Sequence, residues 1–328
     1  MLRSGGASLL SRPPITHLKG MTIGDASRQG EGAPSTLVFQ SPLRYPGGKR
    51  RLADYIVEVL RLNKAKPKLF VEPFAGGASV SLHLLSNGLV EKIALGEKDP
   101  LVAAFWRTVF EDPDWLIEKL DTTPITLDTW KELKTTSQGS IRERAFACLF
   151  LNRTSFSGIL HPHSGPIGGK KQTSAYKIDC RFPVERLAQR IRDIQRYASK
   201  VEFINEGDWR STMRMAKGFE NGEAATVFYY LDPPFYHKAD RLYQFYFGAK
   251  DHIALCKHLS KVKSPWLVSY DPAKEITDMY SDNGFSARSI RVLYSTTADG
   301  SRTAREIILT NLGKLPRRST MWYPSGTK

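Results

Sequence analysis

The chain is short of cysteine, of acidic residues and of long apolar runs. It has three cysteines, Cys148, Cys180 and Cys256, among 328 residues. An odd number spaced so widely excludes a disulfide framework and points to a reducing compartment. Asp and Glu number 33 against 48 Lys and Arg, leaving a net charge of +15. That imbalance says little about fold but favours a polyanionic partner, nucleic acid ahead of an anionic membrane surface. No apolar stretch approaches the ~20 residues of a membrane span, and the longest, such as 225–231, are strand-sized. Hydrophobic residues still make up 41%, enough for a packed core.

Residues 1–38 are rich in Gly, Ser, Pro and Thr, show no apolar period and read as a disordered tail. The first twenty contain no acid, as in a transit peptide, but Pro13-Pro14 breaks the helix such a segment needs. Beyond the tail, strands and helices alternate. Leu52, Tyr55, Ile56, Val59 and Leu60 share one helical face. Residues 69–72 predict a buried strand stopped at Pro73, 78–86 a helix closed by Asn87-Gly88, and 92–96 a second strand. Asp99-Pro100 caps a helix through Phe110. This spacing predicts a parallel sheet covered by helices. Residues 112–200 break the rhythm, with helical segments at 115–120, 127–134 and 141–151, a long loop at 152–180 and an arginine-lined helix at 183–198. Strands at 201–204, 226–231 and 266–270 and a helix at 251–262 then resume it. Segments 287–293 and 305–310 predict an antiparallel edge hairpin about the turn Ala298-Asp299-Gly300. The expected organisation is an α/β domain in two parts, 39–111 and 201–312. A mostly helical insertion at 112–200 interrupts it, and a C-terminal tail follows at 313–328.

Four stretches carry chemical signals. Phe70-Val71-Glu72-Pro73-Phe74-Ala75-Gly76-Gly77-Ala78 joins a strand to a helix, where glycines let a ligand approach the backbone at a strand's C-terminal end. It lacks G-x-G-x-x-G spacing, and by itself a glycine turn that only serves helix packing is an equal reading. Glu97 follows the second strand, 20 positions past Gly77, where an acid can accept hydrogen bonds from ribose hydroxyls. Tyr45-Pro46-Gly47-Gly48-Lys49 is not a Walker A loop, because Leu43 and Arg50 stand where Gly and Ser or Thr are needed.

The fourth stretch is Tyr229-Tyr230-Leu231-Asp232-Pro233-Pro234-Phe235, at the end of a strand. An exocyclic amino group on a base is a weak nucleophile, because its lone pair is delocalised into the ring. Asp232 and the Pro233 carbonyl can accept its hydrogen bonds and favour a pyramidal nitrogen. The prolines stiffen that carbonyl, and Phe235 offers a face for stacking. His161-Pro162-His163 has no Cys or acid at ligand spacing, so it reads as loop and no metal site is expected. The aromatic stretch 235–247 is open between closing over a flipped base and ordinary packing.

In this order the stretches resemble the alpha-group N6-adenine-specific DNA methyltransferases, the DNA adenine methylase family, over about residues 42–311. The resemblance implies a doubly wound, Rossmann-like methyltransferase sheet, mostly parallel with an antiparallel edge hairpin, and a helical target-recognition insertion. It implies S-adenosyl-L-methionine as cofactor and adenine in double-stranded DNA as substrate. The cofactor would be held by Tyr45, Lys49, Glu72, Pro73, Phe74, Ala75, Gly76, Gly77, Glu97 (usually Asp), Asp208, Trp209 and Asp232. Asp232, Pro233, Pro234 and Phe235, the last in place of the usual Tyr, would hold the target amine. Asn152, Arg153 and Phe156, in a loop where Ser157 replaces the family's second Asn, would meet DNA together with Lys170 and Lys171. Arg153 is expected to read a base edge and the two lysines to hold phosphates. Residues 141–200 hold twelve Lys or Arg against four acids, +8 of the chain's +15. The expected setting is a cytoplasmic monomer of bacterial or phage origin, away from membranes, with a cognate restriction endonuclease as a candidate partner. Three competitors stay open: an amino-methyltransferase acting on RNA adenine or on cytosine N4, a nicotinamide-dependent oxidoreductase, and a non-catalytic DNA-binding protein.

Overall fold

The structure is a computed structural model that describes residues 40–44, 49–136, 139–220, 226–237, 244–297, 300–317 and 322–324. The expected tail at 1–38, Tyr45, and the turn residues 298–299 lie outside them. Among the described residues, eight strands form one sheet. They are β1 (Leu69–Glu72), β2 (Lys92–Glu97), β3 (Val201–Glu206), β4 (Val227–Leu231), β5 (Trp266–Tyr270), β6 (Arg288–Thr297), β7 (Gly300–Thr310) and β8 (Trp322–Pro324). Their order is β3-β2-β1-β4-β5-β7-β6-β8. The first five run parallel, and β7 enters antiparallel between β5 and β6. The chain leaves β1 towards β2 and β3, then returns to β4 on the other side of β1. This reversal opens a crevice at the C-terminal ends of β1 and β4, where ligands of doubly wound sheets bind.

The helices are α1 (Arg50–Leu62), α2 (Ser79–Ser86), α3 (Pro100–Glu111), α4 (Pro113–Thr122), α5 (Leu127–Thr135), α6 (Ile141–Thr154), α7 (Val184–Gln195), α8 (Trp209–Lys217), α9 (Ala249–Leu259) and α10 (Lys274–Ser281). Side chains alternate across each strand. Phe70, Phe228 and Tyr230 face a core shared with α1, α2, α3, α6 and α7. Leu69, Val71, Val227 and Leu231 face a second core with α8, α9 and α10. Every residue of β4 and β5 is buried, as expected for strands covered on both faces.

The insertion at 112–200 does not build a core of its own. α6 is buried from Ala145 to its end at Thr154, and its Phe146, Leu149 and Phe150 belong to the same cluster as Phe105 and Trp106 of α3. Asp99 caps α3 by accepting the Leu101 N–H at 2.9 Å, as the sequence predicts. Three elements go beyond the sequence reading. α8 and α10 are short and partly polar, and β8, inside the expected C-terminal tail, pairs with β6 through Ile290 and Pro324.

Gly96, in β2, is where α8 comes closest. A Cβ there would lie 2.1 Å from Thr212 Oγ1, and Thr212 is fully buried. Gly96→Ala should therefore cost about 1–3 kcal/mol in urea unfolding. Gly313→Ala, where a Cβ meets nothing within 4 Å, should change stability by less than about 0.5 kcal/mol.

Candidate active site

The loop after β1 is tied down from three sides. The Ala75 N–H donates to the Gly96 carbonyl at 2.9 Å, and the Trp106 indole N–H of α3 donates to the Gly76 carbonyl at 2.8 Å. Glu97, at the end of β2, accepts the Gly76 N–H at 2.9 Å on one carboxylate oxygen and the Asp99 N–H at 3.0 Å on the other. The loop also turns through left-handed backbone at Gly76 (φ 44°) and Ala78 (φ 47°). Glu72 ends β1 and accepts the Ser81 N–H of α2 at 3.1 Å.

These groups line a cleft of about 1030 Å³, counting its open mouth. Its walls are Phe74–Val80, Glu97–Asp99, Gly158–His161, Gln244, Phe245 and Phe247, with Lys49, Glu72, Asp232 and Pro234 at one end. Burial pushes the Glu72 carboxyl up to about 8 and the Glu97 carboxyl up to about 7.

Asp232 leaves β4 across the crevice from this loop. Its Oδ1 accepts the Ser269 hydroxyl at 2.9 Å, and Ser269 in turn lies 2.9 Å from the Tyr230 hydroxyl. Lys49 Nζ is 3.5 Å from the same Oδ1. That ammonium also donates to both oxygens of Glu306 on β7, at 3.0 and 3.1 Å, and sits 5.7 Å above the Phe235 ring. Lys49 and Glu306 are buried, while the Asp232 side chain is 26% exposed. Burial raises the Asp232 pKa to about 6; Lys49 pulls it down, Glu306 pushes it up, and the Ser269 hydrogen bond lowers it. Beyond Phe235, Asp271 fixes the chain by accepting the Tyr236 N–H at 3.1 Å.

The structure thus brings together Lys49, Glu72, Phe74, Ala75, Gly76, Gly77, Glu97, Asp232 and Pro234. Pro233 is buried beside them and Phe235 lies under Lys49. Asp208 and Trp209 are not in the cleft lining. Asp208 caps α8 by accepting the Ser211 N–H at 2.9 Å, and Trp209 is buried in the second core. Asp208 still stands near Glu97, because the preceding Gly207 N–H donates to the Glu97 carbonyl at 2.9 Å.

Of the expected DNA contacts, Phe156 is 68% exposed and Lys170 and Lys171 are exposed. Asn152 is corrected by the structure. It is fully buried, accepts the Arg44 N–H at 2.6 Å and donates to the Arg44 and Gly158 carbonyls at 3.0 and 2.8 Å. With its amide spent in this way, it ties the chain together rather than facing a partner. Arg153 is also buried.

The sequence reading did not single out Glu306 or Ser269. The signal for Glu306 was an acid inside the predicted strand 305–310, directly before Ile307-Ile308-Leu309, since a buried carboxylate requires a partner. Among the described residues no three His, Cys, Asp or Glu side chains gather as metal ligands do, and no helix is long and apolar enough to cross a membrane.

A mostly parallel sheet with this crevice, glycine loop and paired acids is a Rossmann-like fold of the methyltransferase kind. Residues 45–296 match the D12 class N6 adenine-specific DNA methyltransferases, and the chain belongs to that family. It is also similar to the Type II methyltransferase M.MjaIII of Methanocaldococcus jannaschii, with 26% identity over 133 residues. That stretch covers 36% of this chain and 46% of the relative, so the chain spans about half the length of the curated relative it matches.

The raised carboxyls bear on stability. Glu72 and Glu97 bind protons more tightly in the folded state than in the unfolded one. Their contribution is therefore largest below the ordinary glutamate range and is lost as pH rises through about 7 and 8. Glu72→Gln should flatten the fall in melting temperature between pH 6 and pH 8. An unchanged slope would place the Glu72 titration elsewhere.

Proposed function

We propose that the chain transfers a methyl group from S-adenosyl-L-methionine to N6 of adenine in double-stranded DNA, at a base rotated out of the helix. One placement carries this reading: Asp232-Pro233-Pro234-Phe235 leaves β4 at the point where the sheet order reverses, beside the cleft. The cleft suits the cofactor. Its buried carboxylates match a ligand bearing positive charge and ribose hydroxyls, and Phe74, Phe245 and Phe247 supply apolar wall.

When bound there, the cofactor supplies an electrophilic methyl group on a sulfonium sulfur. Lys49, Glu72, the Phe74–Gly77 loop and Glu97 would hold it, with Tyr45 beside Lys49 in the chain and Asp208 close to Glu97 through the Gly207 N–H, while Trp209 serves the second core. Both Glu97 oxygens keep a lone pair for ribose hydroxyls after accepting their backbone N–H groups.

Asp232 and the Pro233 carbonyl accept the two hydrogens of the target amine and leave its lone pair directed at the methyl carbon. Ser269 and Lys49 keep the carboxylate from rotating, so that positioning lowers the barrier. Forming the nitrogen–methyl bond would break the sulfur–methyl bond, whose electron pair stays on sulfur as a neutral thioether, and the methylated nitrogen sheds one proton, which Asp232 can take. Phe235 offers a face to the base. The amine cannot reach this geometry inside the stack, which is why the base leaves it. Phe156, Lys170 and Lys171 belong to the surface that meets the duplex. In this reading the enzyme works as a cytoplasmic monomer, alone or beside a cognate restriction endonuclease.

The test is nucleoside analysis of duplex DNA incubated with the protein and S-adenosyl-L-methionine. N6-methyladenine should accumulate. Asp232→Ala should lower its rate by about 10²-fold or more while cofactor binding persists. Methylated cytosine, or methylation of RNA alone, would overturn the substrate assignment.

A further inference from the structure

His252 stands on the first turn of α9 and is 1% exposed. It does not line the cleft. Three aromatic rings surround it: Tyr236 with ring centroids 5.1 Å apart, Phe247 at 5.2 Å and Tyr270 at 5.5 Å. Its Nδ1 lies 3.0 Å from the Tyr270 hydroxyl. Its Nε2 is buried without a hydrogen-bond partner among the described residues. The bond to Tyr270 uses one nitrogen in either tautomer, so the other stays unpaired and costs stability. Burial holds the ring's pKa down to about 4, against a weaker upward pull from Asp251. The imidazole is therefore neutral near pH 7 and too weak a base to take a proton from the reaction.

What its three neighbours hold sets His252 apart. Phe247 lines the cleft and meets Phe74 of the glycine loop edge-on at 5.5 Å. Tyr236 directly follows Asp232-Pro233-Pro234-Phe235. Tyr270 ends β5 between Ser269, which donates to Asp232, and Asp271, which accepts the Tyr236 N–H. One buried ring thus touches the cleft wall, the segment after the tetrapeptide, and the strand end that fastens this segment on both sides. A phenylalanine would fill the same space and keep the ring contacts. Only a ring nitrogen makes the bond to Tyr270.

We propose that His252 is a positioning residue that sets the Phe247 wall and the Tyr236 segment against each other, so that a cofactor in the cleft and DNA at the tetrapeptide raise each other's affinity. This rests on the DNA-methylating reading above. The cofactor would press on Phe247 from the cleft, and the target base on Tyr236 through Phe235, its neighbour in the chain. Both rings pack on the same imidazole. Ordering it for the first ligand leaves less to order for the second.

The experiment measures the dissociation constant of S-adenosyl-L-homocysteine, which has no methyl to transfer, with and without a duplex that the wild type methylates. It also measures the affinity for that duplex with and without S-adenosyl-L-homocysteine. The two ratios are equal by linkage, and in the wild type each should be about 5-fold or more. His252→Phe keeps a ring and removes the bond. Tyr270→Phe removes the same bond from the other side, and carries the test should the first variant not fold. Either should bring the ratio close to one while each ligand still binds, and the double variant should go no further. Ile276→Val, at a fully buried position of the same core that is none of these rings, should lower the melting temperature and leave the ratio at its wild-type value.

A wild-type ratio in both His252→Phe and Tyr270→Phe would overturn the proposal and leave His252 a packing residue. An equal loss in Ile276→Val would overturn it in favour of general loosening of the core. A wild type that methylates adenine yet shows no coupling would overturn it and leave the enzymatic reading standing. If the wild type binds no S-adenosyl-L-homocysteine and methylates no duplex, the enzymatic reading fails, and the role of His252 fails with it.

Discussion

One buried ammonium group holds the site in register. Lys49 lies at the start of α1, Glu306 in the antiparallel strand β7, and Asp232 at the end of the parallel strand β4, and Lys49 Nζ touches both acids. A buried ion pair is weak evidence for net stability, since desolvation offsets the attraction. What it does specify is arrangement: three segments more than 70 residues apart in sequence meet at one atom. The ammonium is also nearer to Glu306 than to Asp232. Under the proposed reading, this longer approach to Asp232 leaves its carboxylate available to a second donor.

The rest of the site follows from the sheet. Reversal of strand order at β1 and β4 places the glycine loop and Asp232 on opposite sides of one crevice. Glu97 closes the third side and ties the loop to β2 through Gly76. The result is a cleft rich in buried carboxylate, with one lysine between two of the acids. Such a site favours a cationic ligand and binds protons when it has none: burial first, and neighbouring carboxylates second, raise the Glu72, Glu97 and Asp232 values. The chain belongs to the family of D12 class N6 adenine-specific DNA methyltransferases, and under the proposed reading these features would suit a sulfonium cofactor.

Much of this was legible in the sequence because it is local. The glycine loop, the acid twenty positions on and the Asp-Pro-Pro-Phe stretch each sit where a strand ends, and short apolar segments bounded by turn residues located the strands. The unread parts are non-local. Glu306 acquires its meaning from Lys49, 257 positions away, and nothing in the neighbouring residues reports that. α8 was hidden because its cap, Asp208, was read only as a ligand group. Asn152 and Arg153 sit in a stretch that reads as recognition loop, yet α6 buries both and turns one into an internal tie. Charge counting found the basic tract but could not separate arginines paired with acids, as Arg144 is with Glu206, from Arg153, which the fold buries.

The proposed chemistry depends most on Asp232 acting as an ionised acceptor whose charge is set by Lys49 and Glu306. The direct measurement is the acid limb of kcat/KM against pH, which reports the free enzyme, in wild type and in Glu306→Gln. Asp232 must be ionised, so wild-type activity should fall as pH drops through about 6. Removing the negative charge of Glu306 should lower the Asp232 pKa and carry that limb to lower pH. An acid limb that stays in place, or moves to higher pH, would contradict this role for Asp232.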